Sequence, residues 1–402
     1  MPVFQYKATS RTGQKKKGMI ETNNLQDAYQ RLREQGLYVS SIAPYKESVW
    51  KKEIELGGNK VKSQHFVVFC RQFATLIRAG IGVVDAVKVL SEQTESKVLK
   101  KTLESVLAEI RTGTQLSAAC MEHPKVFSSI FINMVRAGEA SGNLDDVLEK
   151  LASFFEKEHG TREKIKSALT YPITVSIIAV LVTGFLMWKV VPQFVSTFEG
   201  LGIQLPLVTR IVMGISNSVI GYWYLYLAFP FFIFFLIKWY GKTDSGRYRL
   251  DYLKLKMPIF GKLLQKTAMA RFSRTFSSLF AAAVPMLQIL NIVSNVVGNE
   301  VITRTIEKSK EHLRSGQSLT GPLKENWVFP PMVVQMMAVG EQTGTLDSIL
   351  EKVADFYEAE VDAMADRLKS LLEPLLIVVM AGIVGMIVLA ILLPTFTLYS
   401  NL

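Results

Sequence analysis

Two glutamates recur in the same sequence context, and their carboxylates are the first groups in this chain that could do chemistry. Glu139 lies in GEASGNLDDVLEKLASFFEKE, and Glu341 lies in GEQTGTLDSILEKVADFYEAE. A carboxylate near a helix end can accept backbone N–H hydrogen bonds and hold a turn. It can equally form part of a docking surface for a partner. The two roles are compatible, because a rigid turn is a suitable place for a contact.

Other sequence features give little support for metal binding or catalysis. Two acidic pairs offer oxygen ligands for a divalent cation, Glu156 with Glu158 and Glu358 with Glu360. Carboxylates two residues apart on a helix do not share a face, however. The stretch GQKKKG lacks the Lys and Ser or Thr that complete a phosphate-binding loop, so we interpret its lysines as a solvated hairpin tip. The four histidines are scattered, and no catalytic triad can be assembled. We therefore expect no catalytic site, no cofactor and no metal.

The doubled motif belongs to a longer internal repeat. Residues 138–158 align with residues 340–360 without a gap, and twelve of the 21 positions are identical. The correspondence continues on both sides of the motif, at Phe69 with Phe272, Arg111 with Arg314, Pro172 with Pro374 and Pro192 with Pro394. The chain therefore carries two copies of one unit, and each copy ends in an apolar segment.

Three apolar segments carry no charged residue, at 167–188, 211–237 and 374–402. A helix needs about 20 apolar residues to cross a bilayer, and soluble helices of this length carry a charged face. The sequence therefore predicts three membrane spans, at 167–190, 211–237 and 374–398. The first and third spans end the two copies. The second has no counterpart in the repeat and returns the chain, so that both copies start on the same side.

The basic residues predict which side that is. Residues 1–166 carry 26 Lys and Arg, and residues 238–373 carry 18. Because basic residues concentrate on the cytosolic side of membrane proteins, we expect both segments, and the N-terminus, to be cytosolic. The loop 191–210 and the C-terminal residues 399–402 should be external. The net charge of +11 suits a protein lying against anionic lipid, and does not by itself argue for nucleic acid.

The soluble segments predict a mainly α protein with a small α+β unit at its start. Apolar residues at spacings of three and four in LDDVLEKLASFF and its counterpart predict cytosolic helical bundles over 63–166 and 238–373. Gly142 and Gly344 suit a turn of positive φ, and Asn143 and Thr345 are candidate helix N-caps. Residues 1–42 alternate like strands around one helix, and 43–62 reads as a linker.

These features together resemble the inner-membrane platform proteins of type IV pilus assembly and type II secretion, the PilC/GspF family. The resemblance rests on two helical domains with GExxGxL, each running through a proline into a span, and it covers nearly the whole chain. It implies a non-enzymatic, multi-pass scaffold in the bacterial inner membrane, with six-helix cytosolic bundles. The implied partners are a cytosolic assembly ATPase, pilins or pseudopilins, other inner-membrane assembly proteins and membrane lipid, with no direct contact to nucleic acid.

The expected sites follow from the motif and from the third span. We expect a partner-binding surface at Gly138, Glu139, Gly142, Leu144, Gly340, Glu341, Gly344 and Leu346. Ala381 and Gly385 form a small-xxx-small pair suited to close helix contact, so we expect a homodimer or higher homo-oligomer through that face. The alternative function is a small-molecule transporter or channel. The absence of charged residues from the apolar segments 167–188, 211–237 and 374–402 argues against it.

Overall fold

The N-terminal unit is a three-stranded sheet with one helix. The computed structural model describes residues 3–10, 15–22, 25–34, 36–44, 61–200 and 206–400. Strands β1 (Val3–Ser10), β2 (Lys15–Glu21) and β3 (Leu37–Pro44) pair antiparallel in the order β2-β1-β3, with helix α1 (Leu25–Glu34) between β2 and β3 in the chain. A small core of Ala8, Leu32 and Leu37 holds it together. The α+β unit is as predicted.

Two details of this unit differ from the prediction or lie beyond it. The three lysines predicted at a hairpin tip, Lys15, Lys16 and Lys17, lie in β2 and pair with Thr9, Ala8 and Lys7 of β1. Strand β2 thus begins four residues earlier than the apolar alternation suggested. Residues 45–60, which make up most of the predicted linker, lie outside the described residues.

Each copy of the repeat contributes six helices to a bundle. The first comprises α2 (Ser63–Arg78), α3 (Val83–Gln93), α4 (Lys97–Arg111), α5 (Leu116–Met121), α6 (Ser129–Ser141) and α7 (Leu144–Phe185). The next helices in the chain are α8 (Val191–Gly200), α9 (Leu207–Gly221), α10 (Trp223–Tyr240) and α11 (Asp244–Lys256). The second bundle comprises α12 (Phe260–Ala281), α13 (Met286–Val296), α14 (Glu300–Arg314), α15 (Gly321–Glu325), α16 (Pro331–Thr343) and α17 (Leu346–Ser400). The predicted mainly α fold with two repeated bundles is confirmed.

Phenylalanines at helical spacing form the centre of each bundle. In the first copy Phe66, Phe69 and Phe73 line one face of α2. Phe66 and Phe69 pack with Phe127 and Phe131, and Phe73 stacks on Phe69. In the second copy the buried rings are Phe272, Phe276 and Phe329. Ring contacts between edges and faces stabilise such cores beyond the burial of area alone.

The last helix of each bundle continues directly into an apolar segment. Helix α7 runs through a π-helical segment (Leu186–Val190) into α8, so that Leu144–Phe198 is one helical element of 55 residues. Helix α17 also has 55 residues. We call these two helical elements, Leu144–Phe198 and Leu346–Ser400, the rods. At 1.5 Å per residue each rod is about 80 Å long. Both contain prolines at the positions that match in the repeat, Pro172 and Pro374 among them.

Within the described residues, three helices are long and apolar enough to cross a membrane: Leu144–Phe198, Trp223–Tyr240 and Leu346–Phe396. The chain is therefore a membrane protein by length and composition of its helices. The predicted second span, 211–237, covers parts of two helices, because Tyr222 interrupts the helical conformation between α9 and α10. The predicted loop 191–210 is helical over α8 and the start of α9.

Candidate docking turns and the joints that position them

The doubled motif forms a sharp helix–turn–helix corner in each copy. Gly142 ends α6 with φ 74° and Gly344 ends α16 with φ 72°, the left-handed conformation that the sequence predicted. The preceding glycines allow close packing. A Cβ added to Gly138 would lie 3.2 Å from the Leu144 Cα, and one on Gly340 would lie 3.1 Å from the Leu346 Cα. Both positions therefore need glycine for the last turn of one helix to contact the first turn of the next.

The side chains of the two motif glutamates form hydrogen bonds with residues outside these corners. The Glu139 carboxylate accepts hydrogen bonds from the backbone N–H groups of Leu116 (2.7 Å) and Ser117 (3.2 Å), the first two residues of α5. In the second copy Glu341 accepts from the Leu319 N–H (2.9 Å) and from the Ser318 hydroxyl (2.7 Å). Each carboxylate thus satisfies donors near the start of the fifth helix of its bundle, where unpaired N–H groups favour negative charge.

The predicted helix caps have a different outcome. Asn143 is the N-cap residue of α7, as predicted, but its side chain makes no cap hydrogen bond. Thr345 lies at the matching position, and its hydroxyl is within 2.7 Å of the Thr343 hydroxyl. Leu346 is buried, whereas Leu144 is half-buried. The eight motif residues therefore lie together at two corners, where they fix the backbone and the approach of the fifth helix.

One arginine in each copy links the first helix of the bundle to the long helix that follows the corner, and the sequence-based predictions did not include it. Arg71 of α2 binds Glu156 of α7 through two parallel bonds of 2.6 Å, and it also binds Glu149. Arg274 of α12 binds Glu358 of α17 through two bonds of 2.8 Å. Such bidentate pairs are specific in geometry as well as strong. The signal was present in the matching stretches FCRQFATLI and FSRTFSSLF.

The carboxylates of the acidic pairs considered as metal ligands each form an ion pair with a Lys or Arg side chain. Glu158 pairs with Arg162 and Glu360 with Lys266, besides the arginine partners of Glu156 and Glu358. The Arg71 hydrogen bond holds the pKa of Glu156 below its ordinary value. The Lys266 hydrogen bond does the same for the pKa of Glu360. In the part of the chain that the structure describes, no cluster of three His, Cys, Asp or Glu residues could hold a metal ion.

The two copies pack side by side through α7 and α17. Two ion pairs cross between these helices, Lys157 with Asp355 (2.6 Å) and Lys164 with Asp362. Both pairs advance by seven residues in the same direction, so the helices run parallel. Burial alone would raise the pKa of Asp355, but its hydrogen bonds with Lys157 and Arg274 outweigh burial and hold that pKa below the ordinary value.

Helix α9 joins the far ends of the first and third spans through two hydroxyls. Pro394 has no N–H, so the carbonyl of Ala390 loses its helical donor, and Thr209 of α9 donates to that carbonyl at 2.8 Å. In the first span the Val191 N–H bonds to the Leu186 carbonyl in the π-helical register. The next residue is Pro192, which leaves the carbonyl of Met187 without a backbone donor. Ser216 of α9 donates to it.

The apolar surroundings of these two bonds make them important. Thr209, Ser216 and Val212 are buried on one face of α9, against a cluster that includes Met187, Val191, Ile387 and Ala390. Within a membrane an unpaired carbonyl is costly, and Ser or Thr side chains restore the bonds that proline removes. Helix α9, which has no counterpart in the repeat, thus supplies the hydrogen-bond donors that are missing at the equivalent prolines of the two copies.

The predicted oligomer residues lie on an open part of the third span. Ala381 is exposed and borders a groove with Tyr171 and Val175 of the first span. Gly385 is half-buried, and a Cβ added there would meet no atom within 4 Å. Both positions therefore leave room for a close helix neighbour, and their role in association stays a prediction.

Comparison with known families matches this duplicated architecture. The description "Type II secretion system (T2SS), protein F" fits residues 69–192 and again residues 272–394, and the N-terminal domain of type II secretion system protein F fits residues 1–43. The chain belongs to the type II secretion system protein F family. The two matched ranges each end at a span proline discussed above, Pro192 and Pro394.

Named relatives of this protein F family cover the chain almost completely. A type IV pilus assembly protein PilC of Thermus thermophilus is 41% identical over 100% of this chain and 99% of its own length. A PilC of Myxococcus xanthus is 35% identical over 98% of this chain and 94% of its own length. A type II secretion system protein F of Aeromonas hydrophila is 35% identical over 94% of this chain and 98% of its own length. The relatives thus carry two kinds of name, for pilus assembly and for secretion.

Proposed function

We propose that this protein F family member is an inner-membrane platform that couples a cytosolic assembly ATPase to the extraction and polymerisation of pilins or pseudopilins. The names of its relatives support a role in type IV pilus assembly or type II secretion. In this role the chain catalyses no reaction itself. It converts movement at its cytosolic bundles into movement within the membrane.

The observation that carries this proposal is the continuity of the two rods. Each rod begins at a motif corner, at Leu144 or Leu346, and extends into an apolar segment without a loop. A helix transmits displacement along its axis, whereas a flexible loop would absorb it. The Arg71 and Arg274 ion pairs fix each rod to its bundle. Helix α9 fixes the two rods to each other at their far ends.

The two corners are the proposed docking surface for the ATPase. The eight motif residues hold the corners in shape, because the glycines permit the close packing and the glutamates anchor α5 and the residues before α15. The side chains that a partner would touch are then the exposed neighbours, such as Ala140 and Gln342. These two residues occupy matching positions, directly after Glu139 and Glu341.

The docking proposal can be tested by placing bulk and charge on the corners. Ala140→Arg with Gln342→Arg should leave insertion and thermal stability unchanged, because both positions are exposed in helices and Arg is a good helix former. The double variant should lose filaments, counted by electron microscopy, and should no longer retain the ATPase in pull-downs. Gln93→Arg, at the exposed end of α3, is the matched control. Normal filaments and normal ATPase retention in the double variant would refute docking at the corners.

The proposed topology has the N-terminus and the second bundle in the cytosol and the C-terminus outside. It rests on the basic residues of segments 1–166 and 238–373. A reporter fused after Leu201 should behave as external, and one fused after Asn299 as internal. Equal signals from both fusions would overturn this topology.

Association through the third span is a separate part of the proposal. A leucine at Gly385 would fill the space that a neighbouring helix needs, so Gly385→Leu should weaken self-association in detergent. Light scattering of the purified protein gives the readout. An unchanged mass would exclude this face as a contact.

A further inference from the structure

The contact between the two copies uses different faces of each. Phe154, on α7 of the first copy, is only 3% exposed and borders a cavity together with Ala270 and Arg274 of α12. The Lys150 ammonium also donates to the Ala281 carbonyl at the end of α12 (3.1 Å). We call the contributing face of α7 the inserting face, and the surface between α12 and α17 the receiving groove. A contact between two different faces is heterologous, so it leaves one of each kind unused.

The unused faces are present and exposed. Phe356 of the second copy matches Phe154, yet it is 48% exposed. Val68 of the first copy matches Arg271 of the receiving groove and is also 48% exposed. The Arg71 side chain is 35% exposed, compared with 9% for its counterpart Arg274. The second copy therefore offers a free inserting face, and the first copy offers a free receiving groove between α2 and α7.

The charges at matching positions have changed together. Where Lys157 meets Asp355 in the occupied contact, the corresponding residues of the unused faces are Ala359 and Ser153. Both members of that ion pair are thus replaced by small uncharged residues. A contact between the two unused faces would therefore leave no charged side chain unpaired at these positions.

Two further sets of matched positions are compatible with the same contact. Lys164 and Asp362 correspond to Asp366 and Gly160, so no like charges meet. Lys150 is retained as Lys352, and the carbonyl that it contacts has its counterpart at Arg78. The unused pair of faces therefore keeps the aromatic residue and one lysine, lacks both ion pairs of the occupied contact, and places Asp366 opposite Gly160.

We infer that the free inserting face, around Lys352, Phe356 and Ala359, binds the free receiving groove, around Val68, Arg71 and Ser153, of a second copy of this chain. Chains in one membrane share one orientation, and α7 and α17 run parallel. The rotation that relates successive copies therefore lies about the membrane normal, and repeated heterologous contacts close into a ring instead of a filament. This assignment does not depend on the proposed coupling to an ATPase.

Cysteine crosslinking in native membranes tests the contact with an internal standard. Lys157→Cys with Asp355→Cys reports the occupied contact and should give a crosslink within one chain. Ser153→Cys with Ala359→Cys reports the matching positions of the proposed contact and should give crosslinked dimers and higher species. Cys70 and Cys120 are buried and can stay in place. If the first pair crosslinks and the second yields only monomer, the proposed interface is wrong.

Differently tagged chains make the test directional. Chains with Ser153→Cys alone and chains with Ala359→Cys alone should crosslink when mixed by co-expression, and neither should crosslink with itself. Adding Phe356→Asp should lower the yield by about tenfold, because it places a charge at the aromatic centre of the contact. Phe356 is exposed in the single chain, so this variant should still fold. An undiminished yield, or equal crosslinking of each variant with itself, would contradict the inference.

Discussion

Thr209 donates a hydrogen bond to the carbonyl of Ala390 across 2.8 Å, and this bond joins a helix outside the repeat to the third span. The acceptor is the carbonyl that Pro394 leaves without a helical donor. Ser216, two helical turns further along α9, serves the carbonyl of Met187 in the same way. The two span ends are therefore held at a fixed relation by bonds that replace those lost to proline.

Removing this hydroxyl should destabilise the membrane domain measurably. Thr209→Val keeps the side-chain shape but leaves the Ala390 carbonyl unpaired. Side-chain hydrogen bonds between membrane helices contribute about 0.6 kcal/mol on average and up to about 1.7 kcal/mol. We expect a loss in this range in the unfolding free energy measured in detergent. Thr174→Val is the control, because that hydroxyl bonds only within its own helix.

The proline account makes a further, sharper prediction for the same bond. In a Pro394→Ala background the helix supplies its own donor to the Ala390 carbonyl, so Thr209→Val should cost less than it does in the native chain. A double-mutant cycle measures this difference directly. Equal costs in both backgrounds would show that Thr209 does not compensate for the proline.

The motif glutamates should be worth more to stability than exposed residues of their kind. Glu139→Ala removes the acceptor of two backbone N–H groups of α5, and Glu341→Ala removes the partner of Leu319. By analogy with lost helix caps we expect a cost of about 1–2 kcal/mol for each. The Gln variants, which keep one acceptor oxygen, should lose less. Thermal unfolding of the purified protein gives the ranking, and an Ala variant as stable as the native chain would contradict it.

The two copies differ at one strained position after their first bundle helix. Gly80 follows α2 with φ 83°, and its counterpart Ala283 follows α12 with φ 58°. A side chain in this conformation costs roughly 1–2 kcal/mol. Ala283→Gly should therefore stabilise the protein by about 0.5–1 kcal/mol, and Gly80→Ala should destabilise it. If both changes shift the melting temperature in the same direction, local backbone strain is not the cause.

Acid should weaken the contacts around the two rods. Glu156 has an ordinary pKa of 4.5 and Asp355 one of 3.8, and both pKa values are lowered in the folded chain. A carboxyl with a lowered folded pKa stabilises the fold above its unfolded pKa, and that contribution is lost as the pH falls through the folded value. We expect stability to be flat from pH 7 to about 5 and to fall below about 4.5.

Neutral variants identify the groups responsible for this acid sensitivity. Asp355→Asn and Glu156→Gln should each start less stable at pH 7 and show a shallower loss on acidification. Melting curves across the pH series provide the comparison. Curves that run parallel to the native curve would assign the acid sensitivity to other groups.

The repeat made most of the fold predictable from sequence. Matched apolar spacing after Leu144 and Leu346 indicated the corner helices, and Gly142 and Gly344 indicated left-handed turns. These features are local, because helical periodicity and backbone conformation depend on neighbouring residues. The first and last residues of the second span were harder to predict, since hydropathy does not detect the interruption of the helix at Tyr222.

Hydrogen-bond partners that lie far apart in the chain could not be predicted from the local sequence pattern. The structural role considered for Glu139, beside docking, was to hold its own turn, but its carboxylate accepts from the N–H groups of residues 22 and 23 positions earlier in the chain. Thr209 falls in the predicted loop 191–210 and Ser216 in the predicted second span, and neither residue was predicted to have a role. Their role depends on carbonyls in other helices, although the matched prolines Pro192 and Pro394 were a usable signal.

The central claim is that rigid rods couple the cytosolic corners to the membrane. A flexible Gly-Ser-Gly-Ser insertion after Ser167 and another after Lys369 would interrupt both rods at matching positions just before their prolines. Four alanines inserted at the same places are the control, because they keep the helix and add little more than one turn.

Filament counts, read beside ATPase retention in pull-downs, give the decisive comparison between these two insertions. The account predicts that the Gly-Ser chain inserts, remains stable and retains the ATPase but assembles no filaments, while the alanine chain keeps substantial assembly. Filaments at the native level from the Gly-Ser chain would contradict it.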